Sequence, residues 1–224
     1  MAWQDHQPGW PAELTDGPVR LRPYRRGDAA QWSAVRLDNE AWLAPWEPRP
    51  LGPWEELNSR RAYRWVLQDQ RRSLRDGTAM PFAIVLAGAG AGAGAGDAGR
   101  RERYAGHIGL GNISRRAFGS AYAGYWLDAA LAGRGIMPTA LALLVDHAFG
   151  PVGLHRVEVN IRPENKASRR VAEKLGFREE AYHERYMFID GAWRDHIGYA
   201  LTSEDVAGEG GLLARWHRAR AVRG

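Results

Sequence analysis

The 224-residue chain reads as an α/β (α+β) protein: a mixed, mostly antiparallel sheet of about seven strands, flanked by helices and opened at its centre by one parallel strand–helix–strand unit. Three features predict this. Short runs that alternate apolar with polar residues recur along the chain, as in Val19-Arg-Leu-Arg-Pro23 and His155-Arg-Val-Glu-Val-Asn-Ile161, the pattern of half-buried strands. Two such strands, 121–128 and 155–161, are separated by a helix with Ile136, Ala140, Leu144 and Ala148 at i+4 steps. A connection of that kind makes a parallel, right-handed crossover. Finally, Asp190-Gly191 between two alternating runs is a tight-turn signal that closes a hairpin.

Taken in order, residues 1–17 are rich in Pro, Gly and Trp without a period and read as a loose lead-in. A strand over 19–23 follows. Asp28 is placed to cap a helix reaching about Asp38, with Ala30, Ala34, Val35 and Leu37 for its inner face. Pro45 and Pro48 make 39–48 a loop. A second helix spans about 53–75, striped by Trp54, Leu57, Tyr63, Val66 and Leu67. Strands over 81–86 and 104–113 are joined by an Ala-Gly repeat over 87–100 that carries no reactive side chain and reads as a flexible connection. After the central unit, a helix over 164–175 ends at Gly176, and the closing hairpin uses 177–189 and 193–201. One domain is expected over 18–203, with an Arg-rich tail over 204–224 that forms a polar helix or frays.

Composition narrows the function. Cysteine is absent, which removes a disulfide scaffold, a thiolate metal site and a cysteine nucleophile. The seven histidines show no metal-ligand spacing, so no metal is expected, and Asp146-His147 are adjacent on a helix and cannot face one another. The N-terminus lacks the basic start and apolar run of a secretory signal, and no apolar stretch approaches a membrane span. A cytoplasmic protein without a membrane or DNA partner is expected. The net charge is +5, carried almost wholly by arginine because Lys166 and Lys174 are the only lysines. That charge suits an anionic partner such as a nucleotide cofactor or ribosomal RNA, although a biased composition produces the same excess.

The informative stretch is Tyr125-Trp-Leu-Asp-Ala-Ala-Leu-Ala-Gly-Arg-Gly-Ile-Met-Pro138. A strand runs into a two-glycine loop and a helix starts at once, so unpaired backbone N–H groups and the positive end of the helix dipole converge where Arg134 adds a full charge. This is a candidate diphosphate cradle; alone, Gly-x-Gly before a helix can equally be a tight turn.

A second stretch, Asn160-Ile-Arg-Pro-Glu-Asn-Lys-Ala-Ser-Arg-Arg-Val-Ala-Glu-Lys-Leu-Gly-Phe177, adds Asn165-x-x-Ser168 followed by Leu175-Gly176-Phe177. Together with Asn39, Trp42 and Pro45-Trp46 early on, and Glu180, Arg185, Gly191, Trp193, Asp195 and Tyr199 late, these motifs resemble the GNAT superfamily of N-acetyltransferases. Within it they resemble most the ribosomal-protein-alanine acetyltransferases RimJ and RimL, the RimJ type above all, over roughly residues 19–202.

The resemblance implies a GNAT fold, acetyl-CoA as cofactor and transfer of acetyl to an amine: the N-terminus of a protein, a ribosomal protein by family, or a small amine. It implies that the parallel strands splay near 125–128 and 158–160, so that the pantetheine arm pairs there as an added strand, with Trp126, Leu127, Asn160 and Asn165 around it. The diphosphate would rest on Gly133, Arg134, Gly135, Ile136 and Met137, although Ala132 and Met137 replace the first and last members of the superfamily's Gln/Arg-x-x-Gly-x-Gly/Ala pattern. Ser168 would protonate the leaving thiolate, and the Leu127 N–H would hold the carbonyl oxygen. Asn39, Trp42, Trp46 and Tyr125 would line the acceptor groove; the two tryptophans serve equally as core aromatics. Where the RimL type carries a glutamate this chain has Met187, which leaves Glu184, Glu158 or a water or backbone route as the general base. A non-catalytic ribosome- or RNA-binding protein of the same fold is the alternative of another class. Monomer and homodimer are both open.

Overall fold

The computed structural model describes residues 7–48, 52–88 and 102–222; residues 1–6 of the lead-in and the Ala-Gly connection from residue 89 onward lie outside them. The strands are β1 (Leu14–Asp16), β2 (Val19–Arg22), β3 (Met80–Leu86), β4 (Arg103–Ser114), β5 (Ser120–Leu127), β6 (Arg156–Ile161), β7 (Arg178–Ile189) and β8 (Ala192–Thr202). They form one sheet in the order β1-β2-β3-β4-β5-β6-β8-β7. Every pairing is antiparallel except β5–β6. The eighth strand, β1, comes from the segment read as lead-in: Leu14 pairs with Leu21, so this end of the chain is part of the sheet.

The helices are α1 (Ala29–Asp38), α2 (Glu40–Leu43), α3 (Trp54–Leu57), α4 (Tyr63–Arg75), α5 (Ile136–Phe149), α6 (Lys166–Leu175) and α7 (Leu212–Ala221). The sheet separates two apolar layers. On one face α5 and α6 cover Ala121, Ala123, Leu127, Val157, Val159 and Ile161. On the other, α1 and α4 cover a smaller cluster of Trp32, Tyr63, Ala83, Val85 and Tyr104.

Three local expectations change. The inner face of α1 is Trp32, Ser33 and Arg36, whereas Ala30, Ala34 and Leu37 are exposed and Val35 is half-buried. Polar anchoring outweighs aliphatic surface here: the Ser33 hydroxyl donates to the Asn58 carbonyl (2.7 Å), and the Arg36 guanidinium donates to Asn58 and holds Glu47 at 2.7 and 3.0 Å. Asp28 does not cap α1 with its side chain; it receives both terminal nitrogens of the buried Arg22 at 2.9 and 2.7 Å and the Arg25 N–H. The single helix expected over 53–75 is two. It breaks at Asn58, whose amide donates back to the Trp54 carbonyl, and at Ser59, whose hydroxyl donates to the Glu56 carbonyl and accepts from the Ala62 N–H.

The tail is ordered by α5. Every residue of α5 from Ile136 to Val145 is buried, more than a two-faced helix leaves inside, because α7 lies over its outer side with Leu212 and Trp216 buried. Asp146, which sequence spacing leaves on an idle helix face, accepts the Leu212 and Leu213 N–H groups at 2.6 and 3.0 Å. It thereby caps α7 across 66 residues of sequence. Asp146→Ala is expected to cost about 1 kcal/mol, lowering Tm by about 2–4 °C in calorimetry.

Candidate active site

The site starts where the parallel pair stops. β5 and β6 pair at Ser120↔Arg156, Ala121↔Val157 and Tyr122↔Glu158 and then part. β5 continues against β4 as far as Gly106↔Leu127, and β6 continues against β8 to Ile161↔Ile197. The edges of Ala123–Leu127 and Val159–Ile161 that face each other are left without strand partners. The Asp128 N–H donates to Ala105 of β4 (2.8 Å). By strand alternation the N–H and C=O of Leu127 therefore point the other way, into the opening. There the Leu127 carbonyl accepts the Trp42 indole N–H at 3.1 Å, and the Leu127 N–H faces the same gap.

The loop that follows is tied down by Asn39. Its side-chain oxygen accepts the Ala129 N–H (2.8 Å), and its amide donates to the Val35 carbonyl and to Asp128. The Asp128 carboxylate also accepts from Ala130 and pairs with Arg103 at 2.7 Å. Asn39 is buried with these bonds made, so it shapes the loop and presents no polar group to an acceptor. Gly133 and Gly135 both have φ of 78°, a left-handed conformation that glycine adopts without strain. Gly135 opens α5, and no side chain caps that helix. The Ile136 and Met137 N–H groups of its first turn therefore stay available, while their side chains are buried in the core. This is an uncapped, positive helix end.

A cleft of about 480 Å³ runs from this helix end along the splay, lined among others by Leu127, Gly133, Gly135, Asn165 and Ser168. Lys166, Arg170 and Lys174 also line it, four residues apart on one face of α6. Arg134 is exposed beside it. Arg220 of α7 stacks on Trp216 (5.6 Å), and its guanidinium carbon lies 3.8 Å from where a side chain on Gly135 would begin. A second cleft of about 580 Å³ opens on the opposite face of the sheet, lined by His107, Tyr122, Gly124, Asn160, Arg162, Tyr186, Met187 and His196 among others. Trp46, Glu47, Tyr125, Trp126, Asn165 and Ser168 line both, so the two meet at the splay.

At that junction, Asn165 caps α6 by accepting the Ser168 N–H at 3.1 Å. Ser168 is thus in the first turn of the helix. The Tyr125 hydroxyl lies against it, 3.4 Å from its carbonyl oxygen, and burial pushes the Tyr125 phenol well up against a smaller lowering by the Ser168 side chain, so it stays protonated. Trp126 turns its ring to the α1 and α4 face, under Arg36 (5.1 Å) and beside Tyr104. Trp46 sits under Arg162 (5.3 Å). Asn160 offers its amide to the Tyr186 hydroxyl at 3.4 Å, and its buried side-chain oxygen has no partner among the described residues.

The two carboxylates expected near the chemistry line neither cleft. Glu158 accepts from Arg156 at 2.6 Å below the point of splay. Glu184 projects from the bulged part of β7, its side chain 71% exposed beside Arg185. Met187, in contrast, lines the second cleft.

These features match a known family. A GNAT acetyltransferase domain model covers residues 19–178. The chain belongs to the GNAT acetyltransferase family. The RimJ of Mycobacterium smegmatis, solved with a CoA disulfide, is 36% identical and superposes with a TM-score of 0.84 over 97% of this chain and 98% of that one. The uS5-alanine N-acetyltransferase of Escherichia coli is 27% identical over 86% of this chain and 91% of its own length. The probable N-acetyltransferase YjcK of Bacillus subtilis is 41% identical, over 46% of this chain and 58% of its length. The sheet, with its single parallel pair, is the GNAT fold, and the family's acyl donor is acetyl-CoA.

Within this GNAT chain, sequence reading found the glycine loop and the Asn165/Ser168 pair but missed Lys166, Arg170 and Lys174, which their i, i+4, i+8 spacing could have flagged. It also missed Tyr186 and His196, for which only β7–β8 pairing supplies the position. Among the described residues no cluster of His, Asp or Glu could hold a metal ion, and no helix is long and apolar enough to cross a membrane.

Proposed function

We propose that this chain transfers acetyl from acetyl-CoA directly to the α-amino group of a protein N-terminus in the cytoplasm, with a ribosomal protein beginning in Ala or Ser as acceptor. The observation that carries this reading is the meeting of two clefts from opposite faces of the sheet at Tyr125 and Ser168. Donor and acceptor enter from different sides, so an acceptor need not pass the bound cofactor. The acceptor cleft shares Glu47, Pro48, Gln70, His107 and Trp126 with a further cavity of about 1000 Å³ under α1, α3 and α4. That is room for several residues of a chain beyond its N-terminus, more than a small amine requires. The Escherichia coli relative is a uS5-alanine N-acetyltransferase, which supports the same acceptor class.

In this reading, the unpaired strand edges hold the pantetheine arm, and the N–H groups of Gly135, Ile136 and Met137 receive the diphosphate. The Leu127 N–H, facing the opening, stabilises the oxyanion formed when the amine attacks the thioester carbon. Ser168, at the positive end of α6, gives its proton to the departing thiolate. Arg134 and Arg220 frame the phosphates from two sides of the loop. The double substitution R134Q/R220Q is expected to weaken CoA binding about tenfold, or about 1.4 kcal/mol, in titration calorimetry, with kcat at saturating cofactor unchanged.

The test is release of free thiol from acetyl-CoA against Ala-, Ser- and Met-initiated peptides and a panel of small amines; with no cysteine in the chain, the protein adds no thiol background. Turnover with Ala or Ser peptides supports the proposal, and turnover confined to small amines replaces it. Salt-sensitive RNA binding without turnover makes the chain a binding protein.

A further inference from the structure

We propose that His196 is the general base, its Nε2 taking the proton of the acceptor ammonium; this rests on the acetyl transfer proposed above. His196 lies on β8 one residue before Ile197, which pairs with the last residue of β6. It therefore sits just beyond the end of the splayed strand. Ile197 turns into the core under α5 and α6, so by alternation His196 faces the acceptor side, where it lines the cleft with Tyr186, Asn160, Tyr125 and Ser168.

Its tautomer follows from its contacts. Nδ1 lies 3.1 Å from the Arg194 carbonyl oxygen. A carbonyl only accepts, so Nδ1 carries the hydrogen and Nε2 is left with the lone pair. Burial lowers the His196 pKa below the ordinary 6.5, against the opposing pull of the hydrogen bond to the Arg194 carbonyl, with the Arg162 charge adding to the lowering and Asp195 opposing it weakly. The Tyr186 ring packs 5.5 Å away, and burial together with Tyr122 pushes its phenol up to about 12, so that neighbour is neutral. The imidazole is thus an unprotonated acceptor at neutral pH, in the cleft that Tyr125 and Ser168 also line.

The other titratable groups of that cleft are less suited. His107 is held at Nδ1 by the Tyr24 hydroxyl at 2.7 Å and engages the Phe82 backbone, and burial lowers its pKa to about 4. Glu47 is doubly bonded to Arg36. Asp69 belongs to α4, which packs on β3, four strands from β8 in the sheet. With His196 as base the proton count closes. The acceptor arrives as R–NH3+ and gives one proton to Nε2. Its nitrogen then bonds to the acetyl carbon and the C–S bond breaks. The nitrogen's second proton leaves by way of the Ser168 hydroxyl, which protonates the thiolate. The products are R–NH–acetyl, CoA–SH and an imidazolium that returns its proton to water.

The experiment compares the wild type with His196→Gln and His196→Ala in peptide acetylation across pH. Expected are an acid limb of kcat/KM with an apparent pKa below 6.5 in the wild type and a loss of about 10²-fold in both variants. CoA affinity by calorimetry should be unchanged, and added imidazole should partly rescue His196→Ala. Variants that keep kcat/KM within about threefold, with the same acid limb, overturn the assignment while leaving the transferase reading intact. Should the variants fail to fold, nitrogen-15 NMR of the wild-type histidines decides: a proton on Nδ1 and titration below 6.5 support the assignment, and a proton on Nε2 overturns it. A wild type inactive on every amine sinks the underlying function instead.

Discussion

Replacing Ser168 with Ala is expected to lower kcat for peptide acetylation by about 10²-fold or more, with CoA affinity and Tm close to wild type. The reasoning is local. Ser168 is the third residue of α6, its N–H satisfied by the Asn165 side chain, so the helix start does not depend on the serine hydroxyl. Alanine is the better helix former, so stability should move by no more than about 0.5 kcal/mol. What is lost is the one hydroxyl from α6 that lines both clefts, at a helix end whose positive dipole favours a departing thiolate. Tyr125, protonated and lying against Ser168, offers a proton from the same spot. Tyr125→Phe should cost less alone, and the double variant should lose little more than S168A if the two act in one relay. Steady-state kinetics with an Ala-initiated peptide check this; a kcat for S168A within about threefold of wild type would remove Ser168 from the mechanism.

The second large effect is on the fold. Gly106→Ala should destabilise the protein by about 3 kcal/mol, lowering Tm by about 6–12 °C. At this position of β4, an added Cβ would fall on the Trp126 carbonyl oxygen and come within 3.0 Å of the Leu127 Cα. Both neighbours are backbone of β5, so no flexible side chain can yield. Strand β4 must move away from the end of β5, where Gly106 pairs with Leu127. That end aims the Leu127 N–H into the splay. CoA binding should therefore weaken along with stability, unlike the Ser168 variant. Thermal unfolding and calorimetric titration on the same preparation separate the two effects, and an unchanged Tm would mean the strands can part at no cost.

Much of the candidate donor site was legible in the sequence because it is built from short-range chemistry. Gly133 and Gly135 stand where a strand must turn into a helix through left-handed backbone, and both have φ of 78°. Asn165 caps α6 and Gly176 ends it at φ 77°. Asp190-Gly191 turns the last hairpin. Each depends on a handful of neighbouring residues, and so did the fold class, since apolar period and turn chemistry are local. The sequence by itself determined a nucleotide-ready helix start at the end of a central strand, the Asn165/Ser168 step beside it, and an open parallel pair.

Tertiary structure decided the rest. Which side of α1 faces inward was set by Asn58, Glu47 and Trp54 from distant segments, so a count of aliphatic residues chose the wrong face. The tail became a helix because Asp146 and the outer side of α5 were waiting for it. Glu158 and Glu184 have the right chemistry for a base, yet ion pairing with Arg156 and a bulge in β7 place them outside the clefts. His196 enters the cleft proposed for the acceptor through the register of β8 against β6. A strand residue's environment is fixed by its pairing partner, and a one-residue change of register would turn it to the other face. Pairing partners far apart in sequence leave no local signal of that choice.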